Sequence, residues 1–309
     1  MPKLDNRKKI KLLVIDFNNI LFRSLYISKT VSSSKNGKSF FAFAFLIFFR
    51  IIFSILKNRR YSLVIACLDS KPRIRVSKKR IFPEYKKGRS NPWKKFFPSL
   101  VQTSLEFFSI AKFVWWHNHF SEADDLIGSV VNRFEQKSDY IDILSNDEDL
   151  RPLVSEKIRL LTGKKSIQRV SFLENKKSFS FFSDFRVLAG DKSDKIKGIR
   201  GVSSETALYF LSKYNSLGGI LSSTDFLPPR LRKIFNNRLV RRQLIRNISL
   251  MKLRTDLLDD NVLVYNLFDY RWICPLHNFS FYLFLKEKKI SIKNFEFMKS
   301  QCPNCQRLK

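Results

Sequence analysis

The sequence predicts an α/β protein with a mainly parallel central sheet flanked by helices. Continuous apolar segments at residues 11–16, 61–68 and 140–144 are typical of strands buried on both faces. Longer segments of helical character separate these strands, and aspartates stand at or just after the strand ends. Alternation of strands and helices is the pattern of a parallel sheet covered on both faces.

The first half of the chain supplies the sheet and its covering helices. In order, we expect a strand at 11–16, a helix at 39–56, a strand at 61–68, a helix at 102–111, a short strand at 112–116 and a strand at 140–144. Another helix is expected to open at Ser121, with Ser121 as its N-cap and Asp124 as capping-box partner. Ligands of such sheets bind beyond the carboxyl ends of the strands.

The second half of the chain, from Phe185, is predicted to be all-helical. Helices are expected at 204–214 and 230–253, after a short loop that contains Gly198 and Gly201. We therefore divide the chain into a first domain at 1–184, a helical domain at 185–270 and a tail at 271–309.

The charge of the chain indicates a polyanionic partner. Lys and Arg number 58 and Asp and Glu 27, which gives a net charge of +31. Nucleic acid is the leading partner, because the basic residues are spread along the whole chain. An anionic membrane surface, a ribosome and a solvated basic shell are the alternatives.

One segment, residues 40–56, is nearly all apolar and reaches the lower length limit of a membrane span. Arg50 interrupts it, and a mid-helix Arg costs roughly 2.5–3.5 kcal/mol on insertion. We therefore favour a core helix and expect no membrane association. Residues 1–11 are polar and basic, unlike a signal peptide, so we expect a cytoplasmic protein, bacterial or in a phage-infected host, that is not secreted.

Acidic residues are scarce, yet they gather where the predicted strands end. These positions are Asp16, Asp69, Asp147 and Asp149, joined by Glu122, Asp124 and Asp125 at a helix start and by the D-x-x-D pair Asp191 and Asp194. A single aspartate at a strand end is more often a turn former. Several carboxylates in one place repel each other unless cations neutralise them, and oxygen ligands suit Mg²⁺ or Mn²⁺. Two such ions about 4 Å apart can promote phosphodiester hydrolysis.

Five segments resemble the motifs of the flap-endonuclease-like 5′-3′ exonucleases, in the same order and spacing. They are VIDFNNILFR at 14–23, LDSKPRIRVSKKRIFPEYKKGR at 68–89, EADDLIG at 122–128, SNDEDLRPLVS at 145–155 and LAGDKSDKIKGIRGVSSETA at 188–207. The resemblance covers about residues 11–255 and is strongest to the bacteriophage members and to the exonuclease domain of bacterial DNA polymerase I.

The resemblance implies a PIN-like or resolvase-like nuclease core and two metal clusters. The first cluster would be Asp16, Asp69, Glu122, Asp124 and Asp125, and the second Asp147, Asp149, Asp191 and Asp194. A helical arch at about 73–100, which we call the arch segment, would pass a 5′ single strand. Within it Tyr85, Lys86 and Arg89 would contact DNA, with Lys86 and Arg89 catalytic.

The resemblance also implies a helix–hairpin–helix-like element for duplex DNA, with K⁺ at its hairpin. The DNA-binding residues there would be Lys192, Lys197, Gly198, Gly201, Ser203 and Thr206, and Arg23 would contribute from the first domain. Ser203 stands where the family usually has another Gly, and Lys195-Ile196-Lys197 where it often has Asn-Ile-Pro. Both departures put cation binding by the hairpin in question.

The cysteines leave a second metal site open. Cys274-x-x-His277 and Cys302-x-x-Cys305 have zinc-ligand types, but the pairs are far apart, and free thiols are an equally good interpretation. Cys67 is expected in the core. His117 and His119 are expected at the surface or in packing.

Together with the charge and the clustered acids, the resemblance implies a structure-specific, metal-dependent 5′ nuclease. Its substrates would be DNA with a free 5′ end, a 5′ flap or an RNA–DNA hybrid, with ribonuclease H activity on the last. The chain would act as a monomer in primer and flap removal during replication or repair, beside a polymerase or a single-strand binding protein. The alternatives are a non-catalytic DNA-structure-binding protein and a PIN-type ribonuclease on single-stranded RNA.

Overall fold

The structure is a computed structural model that describes residues 10–31, 37–56, 61–69, 76–88, 92–118, 121–162, 168–170, 182–257 and 279–288. Its centre is a six-stranded sheet with the strand order β3-β2-β1-β4-β5-β6. The strands are β1 Ile10–Asp16, β2 Leu63–Leu68, β3 Val114–His117, β4 Ser138–Leu144, β5 Ile158–Thr162 and β6 Gln168–Val170. All neighbouring pairs are parallel except β5 and β6. The predicted fold class is confirmed.

Helices cover both faces of this sheet, because its strands carry apolar side chains on both faces. They are α1 Phe17–Val31, α2 Gly37–Leu56, α3 Val76–Ile81, α4 Phe97–Ile110 and α5 Ala123–Phe134. Successive residues of β1 alternate between the faces. Leu13 and Ile15 pack with the phenylalanines of α2 and α4, while Leu12 and Val14 pack with α5.

The apolar helix α2 is a core helix, which confirms the interpretation favoured from the sequence. Phe45 and Phe48 are fully buried, and Phe48 makes an edge contact with Phe17 at 5.5 Å between ring centroids. Arg50 lies on the exposed side of the helix. Within the described residues, no helix is long and apolar enough to span a bilayer.

Two local predictions in this half were wrong or incomplete. α1 was not predicted, although Phe17, Ile20 and Leu21 give it a fully buried face. Ser121 is not the N-cap of α5, because Glu122 takes that position without a side-chain capping bond. The Ser121 hydroxyl is buried and has no hydrogen-bond partner in the described part of the chain.

The remaining elements are mainly helical. They are α6 Phe182–Ala189, β7 Gly190–Asp191, β8 Ile196–Lys197, α7 Ser204–Tyr214, α8 Leu217–Ser222, α9 Pro229–Asn236, α10 Arg238–Met251 and α11 Phe279–Glu287. The all-helical expectation is corrected by the β7–β8 hairpin, where a Cβ on Gly198 would lie 2.3 Å from the Ala189 carbonyl oxygen. The single helix expected at 230–253 is two helices, because Asn237 caps α10 by accepting from the Leu239 N–H at 2.8 Å.

A third apolar cluster joins the helical part to the arch segment. Tyr85 is 2% exposed and packs with Val187 of α6 and Leu250 of α10. Arg246 of α10 also lies over the Phe82 ring at 4.9 Å. The base of the arch segment is thereby fixed beside the helical part. The division at 1–184, 185–270 and 271–309 stays a prediction.

Candidate active site

One edge of the sheet, where β1, β2 and β4 end, carries Asp16, Asp69 and Asp147. Asp16 ends β1 and accepts hydrogen bonds from the Ser145 hydroxyl at 2.7 Å and from the Asn19 N–H at 3.2 Å. Asp69 follows β2 and accepts from the Ala123 N–H at 2.9 Å, at the start of α5. Neighbouring parallel strands end at the same edge, so acids distant in sequence meet there.

Among the described residues, one close group of carboxylates combines members of both clusters expected from the sequence. Oxygens of Asp124, Asp147 and Asp149 all lie within 4.8 Å of one another, and the three side chains are partly exposed. Asp147 also caps the 3₁₀ turn that follows β4, since its Oδ1 accepts from the Asp149 N–H at 2.9 Å. A group of three carboxylates at this spacing can hold a divalent cation.

Burial, with added repulsion between acids, raises the pKa values of two carboxyl groups at this edge. Burial, with added repulsion from Asp69 and Asp147, raises the pKa of Asp16 to about 7 despite its hydrogen bond from Ser145. Burial also raises the pKa of Asp124, with further repulsion from Asp16 and Asp147. The charged forms of Asp16 and Asp124 are thus disfavoured in the protein without a bound cation, as expected of ligands in a cation site.

Glu122 lies beside this group and is bound by the arch segment. Its oxygens meet Lys86 Nζ at 2.7 Å and Lys78 Nζ at 2.9 Å, and the Tyr85 hydroxyl donates to it at 2.9 Å. Burial would raise the pKa of Glu122, but the two ammonium groups outweigh it and hold that pKa far below its usual value. Burial next to this carboxylate raises the pKa of Tyr85.

Asp125 is 2% exposed, and described groups meet both of its oxygens. Oδ1 accepts from the Arg254 N–H at 3.0 Å, and Oδ2 lies 3.7 Å from Lys78 Nζ. The first contact ties α5 to the chain that follows α10, and the second ties it to α3. The structure therefore brings Asp16, Asp69, Asp124, Asp147 and Asp149 together more directly than Asp125.

The D-x-x-D pair lies in the β7–β8 hairpin. Asp191 Oδ1 accepts from the Ser193 N–H at 2.7 Å, and Oδ2 is paired with Arg186. Arg186 also binds Asp149, so it links the hairpin to the carboxylate group. Asp194 is 7% exposed, and its carbonyl oxygen accepts from the Lys86 N–H at 3.3 Å.

The residues expected to bind DNA lie on several different elements. Arg23 donates to Asn146 Oδ1 at 3.5 Å, near the acids. Lys192 and Lys197 are exposed on the hairpin. Ser203 is the N-cap of α7, where its hydroxyl accepts from the Thr206 N–H at 3.1 Å. Gly201 has a φ of 88°, which only glycine adopts readily.

Several predicted site residues lie outside the described residues. These are Arg89 of the arch segment, His119, and the candidate zinc ligands Cys274, His277, Cys302 and Cys305. Cys67 is fully buried in β2, as expected. His117 ends the edge strand β3 and is exposed, also as expected.

A basic cleft opens beside the hairpin, on the exposed side of α10. It has a volume of about 400 Å³ and is lined by Lys197, Leu239, Arg242, Gln243 and Arg246. Gln243 fixes one wall by donating to the carbonyl oxygens of Lys197 at 3.1 Å and Gly198 at 3.0 Å. None of these five described residues is acidic, so the cleft can receive an anionic group such as a phosphate.

Sequence reasoning missed three residues that shape the site. Lys78 and Arg186 each contact two acids, and Ser145 orients Asp16. Ser145 had a signal, because it stands in the same segment as Asp147. Among 58 Lys and Arg residues, no local pattern could single out Lys78 or Arg186.

Comparison with known proteins gives a family. Residues 11–179 match the model of the 5′-3′ exonuclease, N-terminal resolvase-like domain. The chain is 28% identical to a 5′-3′ exonuclease of Aquifex aeolicus, over 80% of this chain and 82% of that protein. It is 26% identical to a 5′-3′ exonuclease of Mycoplasma genitalium, over 94% of this chain and 99% of that protein.

A second group of relatives is longer. The chain is 26% identical to the thermostable DNA polymerase I of Thermus thermophilus, over 81% of this chain but only 29% of that polymerase. It therefore spans less than a third of these polymerases.

Solved structures share the fold. The T5 5′-exonuclease with bound divalent metal ions (zinc) has a TM-score of 0.60 at 19% identity, covering 91% of this chain and 99% of that one. The catalytic core of Rad2 in complex with DNA substrate has a TM-score of 0.53 at 13% identity, covering 92% and 89%. Since the family model alone spans more than half of the chain, the chain belongs to the 5′-3′ exonuclease family of hydrolases, through its N-terminal resolvase-like domain.

Proposed function

We propose that the chain is a structure-specific 5′ nuclease that hydrolyses phosphodiester bonds near a free 5′ end or at a 5′ flap. The observation that carries this proposal is the group formed by Asp124, Asp147 and Asp149, whose oxygens lie within 4.8 Å of one another in a chain of net charge +31. A basic protein that concentrates acids at one sheet edge has the two charges that this reaction needs. The surface attracts the nucleic-acid backbone, and the edge binds cations.

The donor set fits two divalent ions of the hard type. All candidate ligands are carboxylate oxygens, which Mg²⁺ and Mn²⁺ prefer over nitrogen or sulfur. Asp16, Asp69, Asp124, Asp147 and Asp149 would hold them, with Glu122, Asp125, Asp191 and Asp194 around this set. When bound, such ions would supply positive charge beside the scissile phosphate and lower the pKa of a water molecule.

Lys86 would orient and neutralise the scissile phosphate. Its ammonium lies 2.7 Å from Glu122, and its side chain is 14% exposed, so it is held at the rim of the acidic edge. The Tyr85 ring, 5.0 Å from Lys86 Nζ, supports this position. A cation fixed before the substrate arrives stabilises developing negative charge without reorganisation. Arg89 would assist from the same segment.

The hairpin and the basic cleft would hold the duplex backbone. Lys197 and Arg242 line the cleft, and Ser203 presents the N-terminus of α7, where backbone N–H groups favour a phosphate. Lys192, Gly198, Gly201 and Thr206 would lie along the same path, with Arg23 nearer the acids. A K⁺ ion at the hairpin remains part of the proposal.

Primer and flap removal is the role that this chemistry would serve. The named relatives include 5′-3′ exonucleases and DNA polymerases I, and the T5 and Rad2 structures include complexes with DNA. Cleavage of RNA–DNA hybrids, action as a monomer, and work beside a polymerase or a single-strand binding protein extend the same proposal.

The test is Mg²⁺-dependent cleavage of a 5′-labelled flap duplex by the native chain and by Asp147→Asn. Asparagine keeps the acceptor that caps the turn after β4 but removes the charge, so we expect cleavage to be abolished and gel-shift affinity to be kept. Asp139→Asn, the same change on the exposed part of β4, is the control and should cut normally.

The outcomes separate the alternatives. A native chain that shifts the flap duplex but never cuts it would be a DNA-structure-binding protein. A chain that cuts structureless RNA faster than the flap would be a single-strand ribonuclease. Either result would overturn the proposal.

A further inference from the structure

Arg186 joins two acids that belong to different elements. One guanidinium nitrogen pairs with Asp149 Oδ1, in the 3₁₀ turn after β4, and another with Asp191 Oδ2, in the β7 strand. The Arg186 side chain is 14% exposed, so solvent screens these pairs only weakly. Its backbone belongs to α6, which places a fixed positive charge between the sheet edge and the hairpin.

Asp149 and Asp191 differ in how much the stabilisation of their negative charge depends on Arg186. Asp191 also accepts from the N–H groups of Ser193 at 2.7 Å and Asp194 at 3.3 Å. Asp149 belongs to the group with Asp124 and Asp147, whose charges repel its own. Among the described contacts, the Arg186 guanidinium is therefore the positive charge that is paired with the Asp149 carboxylate.

From this arrangement we infer that Arg186 is a built-in counter-ion, which occupies a cation position on Asp149 and competes with the divalent ion that Asp149 would help to hold. This inference rests on the proposed function. It assigns Arg186 the role of setting the concentration of divalent ion at which the site fills. Arg186 is thus a positioning residue, since it acts through the carboxylates.

Competition follows from charge and from geometry. Arg186 cannot release its charge by deprotonation, because the guanidinium stays protonated at any working pH. A guanidinium and a divalent ion on the same carboxylate group repel each other strongly in a partly buried site. The planar fork allows the guanidinium to leave Asp149 while it keeps Asp191. Filling the site would therefore require that Arg186 give up one of its two partners.

The experiment measures Mn²⁺ binding to the full chain without DNA, by the electron paramagnetic resonance of free Mn²⁺. We expect Arg186→Gln to bind Mn²⁺ about tenfold more tightly than the native chain, because a competing charge is gone. Arg186→Lys keeps the charge but loses the fork, and we expect a smaller gain. Without metal, Arg186→Gln should melt at a lower temperature than the native chain. Addition of Mn²⁺ should raise the melting temperature of Arg186→Gln by more than it raises that of the native chain.

The control is Arg151→Gln, which removes the same charge from the segment that carries Asp149. Arg151 pairs with Glu148 at 2.6 Å, and the two side chains are 34% and 65% exposed, so Arg151 is more exposed than Arg186 at 14%. The Arg151→Gln variant should bind Mn²⁺ with the same affinity as the native chain. Equal or weaker Mn²⁺ binding by Arg186→Gln, or by Arg186→Lys should the first variant not fold, would overturn the inference alone. A native chain that binds no Mn²⁺ would overturn the proposed function as well.

Discussion

Lys86 and Glu122 form a salt bridge of 2.7 Å in which the side chains are 14% and 8% exposed. This pair connects the arch segment to the start of α5, directly beside the acids of the sheet edge. Lys78 and Tyr85 contact the same carboxylate, so Glu122 is one of the points at which the arch segment is held. The position of the Lys86 ammonium therefore depends on Glu122.

Replacement of Lys86 tests this placement. We expect Lys86→Ala to slow flap cleavage by about 100-fold, as expected for loss of a fixed charge at the reacting group. Duplex affinity, measured by gel shift, should change little. Lys87→Ala is the matched control, because Lys87 is 64% exposed and pairs with Glu84 in the same segment. Similar losses in both variants would remove Lys86 from the chemistry.

The raised pKa of Asp16 predicts how the stability of the metal-free protein depends on pH. Burial raises this pKa to about 7 from 3.8, so between these values the folded chain holds a proton that the unfolded chain has released. The free energy of unfolding contributed by Asp16 therefore falls as the pH rises through this window. Urea unfolding in a chelator should show Asp16→Asn gaining stability relative to the native chain over the same range.

The control for this pH dependence is saturating Mg²⁺. Bound cations favour the ionised carboxylates. With Mg²⁺ present, the free energy of unfolding of the native chain should therefore no longer fall between about pH 5 and pH 7. A difference between Asp16→Asn and the native chain that stays constant with pH would contradict the burial of a repelled carboxylate.

The basic cleft should act through the phosphate backbone. We expect Lys197→Ala and Arg242→Ala each to weaken duplex binding for every sequence tested and to reduce the salt slope of affinity by about 1. Lys137→Ala is the control, because Lys137 is exposed just before β4, at the opposite end of the strands from the acids. An unchanged slope in the cleft variants would assign duplex binding to another surface.

The core position of α2 predicts a large loss of stability on truncation. Phe48 is fully buried between Phe17 and Phe108, at 5.5 and 6.0 Å between ring centroids. Phe48→Ala should lower the free energy of unfolding by about 3–5 kcal/mol in urea titrations. Phe226 is 81% exposed, and Phe226→Ala should change it by less than about 0.5 kcal/mol. Comparable effects would contradict the packing of α2.

The sheet was predictable because its strands are buried on both faces. Continuous apolar segments followed by aspartates placed β1, β2 and β4, together with the acids at their ends. α1 was harder to predict, since it begins with Phe17-Asn18-Asn19, and asparagine favours turns. Its buried residues, spaced as in a helix, override that local preference by packing on the core.

The site was predictable in its acids but not in their partners. Asp124 was expected both as a capping-box partner and in the first metal cluster, but its closeness to Asp147 and Asp149 of the second cluster was not expected. Lys78 meets Glu122 across 44 positions of sequence, and only the folded chain brings such a pair together. A prediction based on residues that are neighbours in sequence cannot identify contacts between residues so far apart.

The most direct test of the account is a crystal structure of the chain grown with Mn²⁺, with the ions located by their anomalous scattering. We predict an anomalous peak within about 2.5 Å of carboxylate oxygens from Asp124, Asp147 and Asp149. A well-ordered acidic edge without any peak, at Mn²⁺ concentrations that support cleavage, would contradict the claim that these acids hold the catalytic cations.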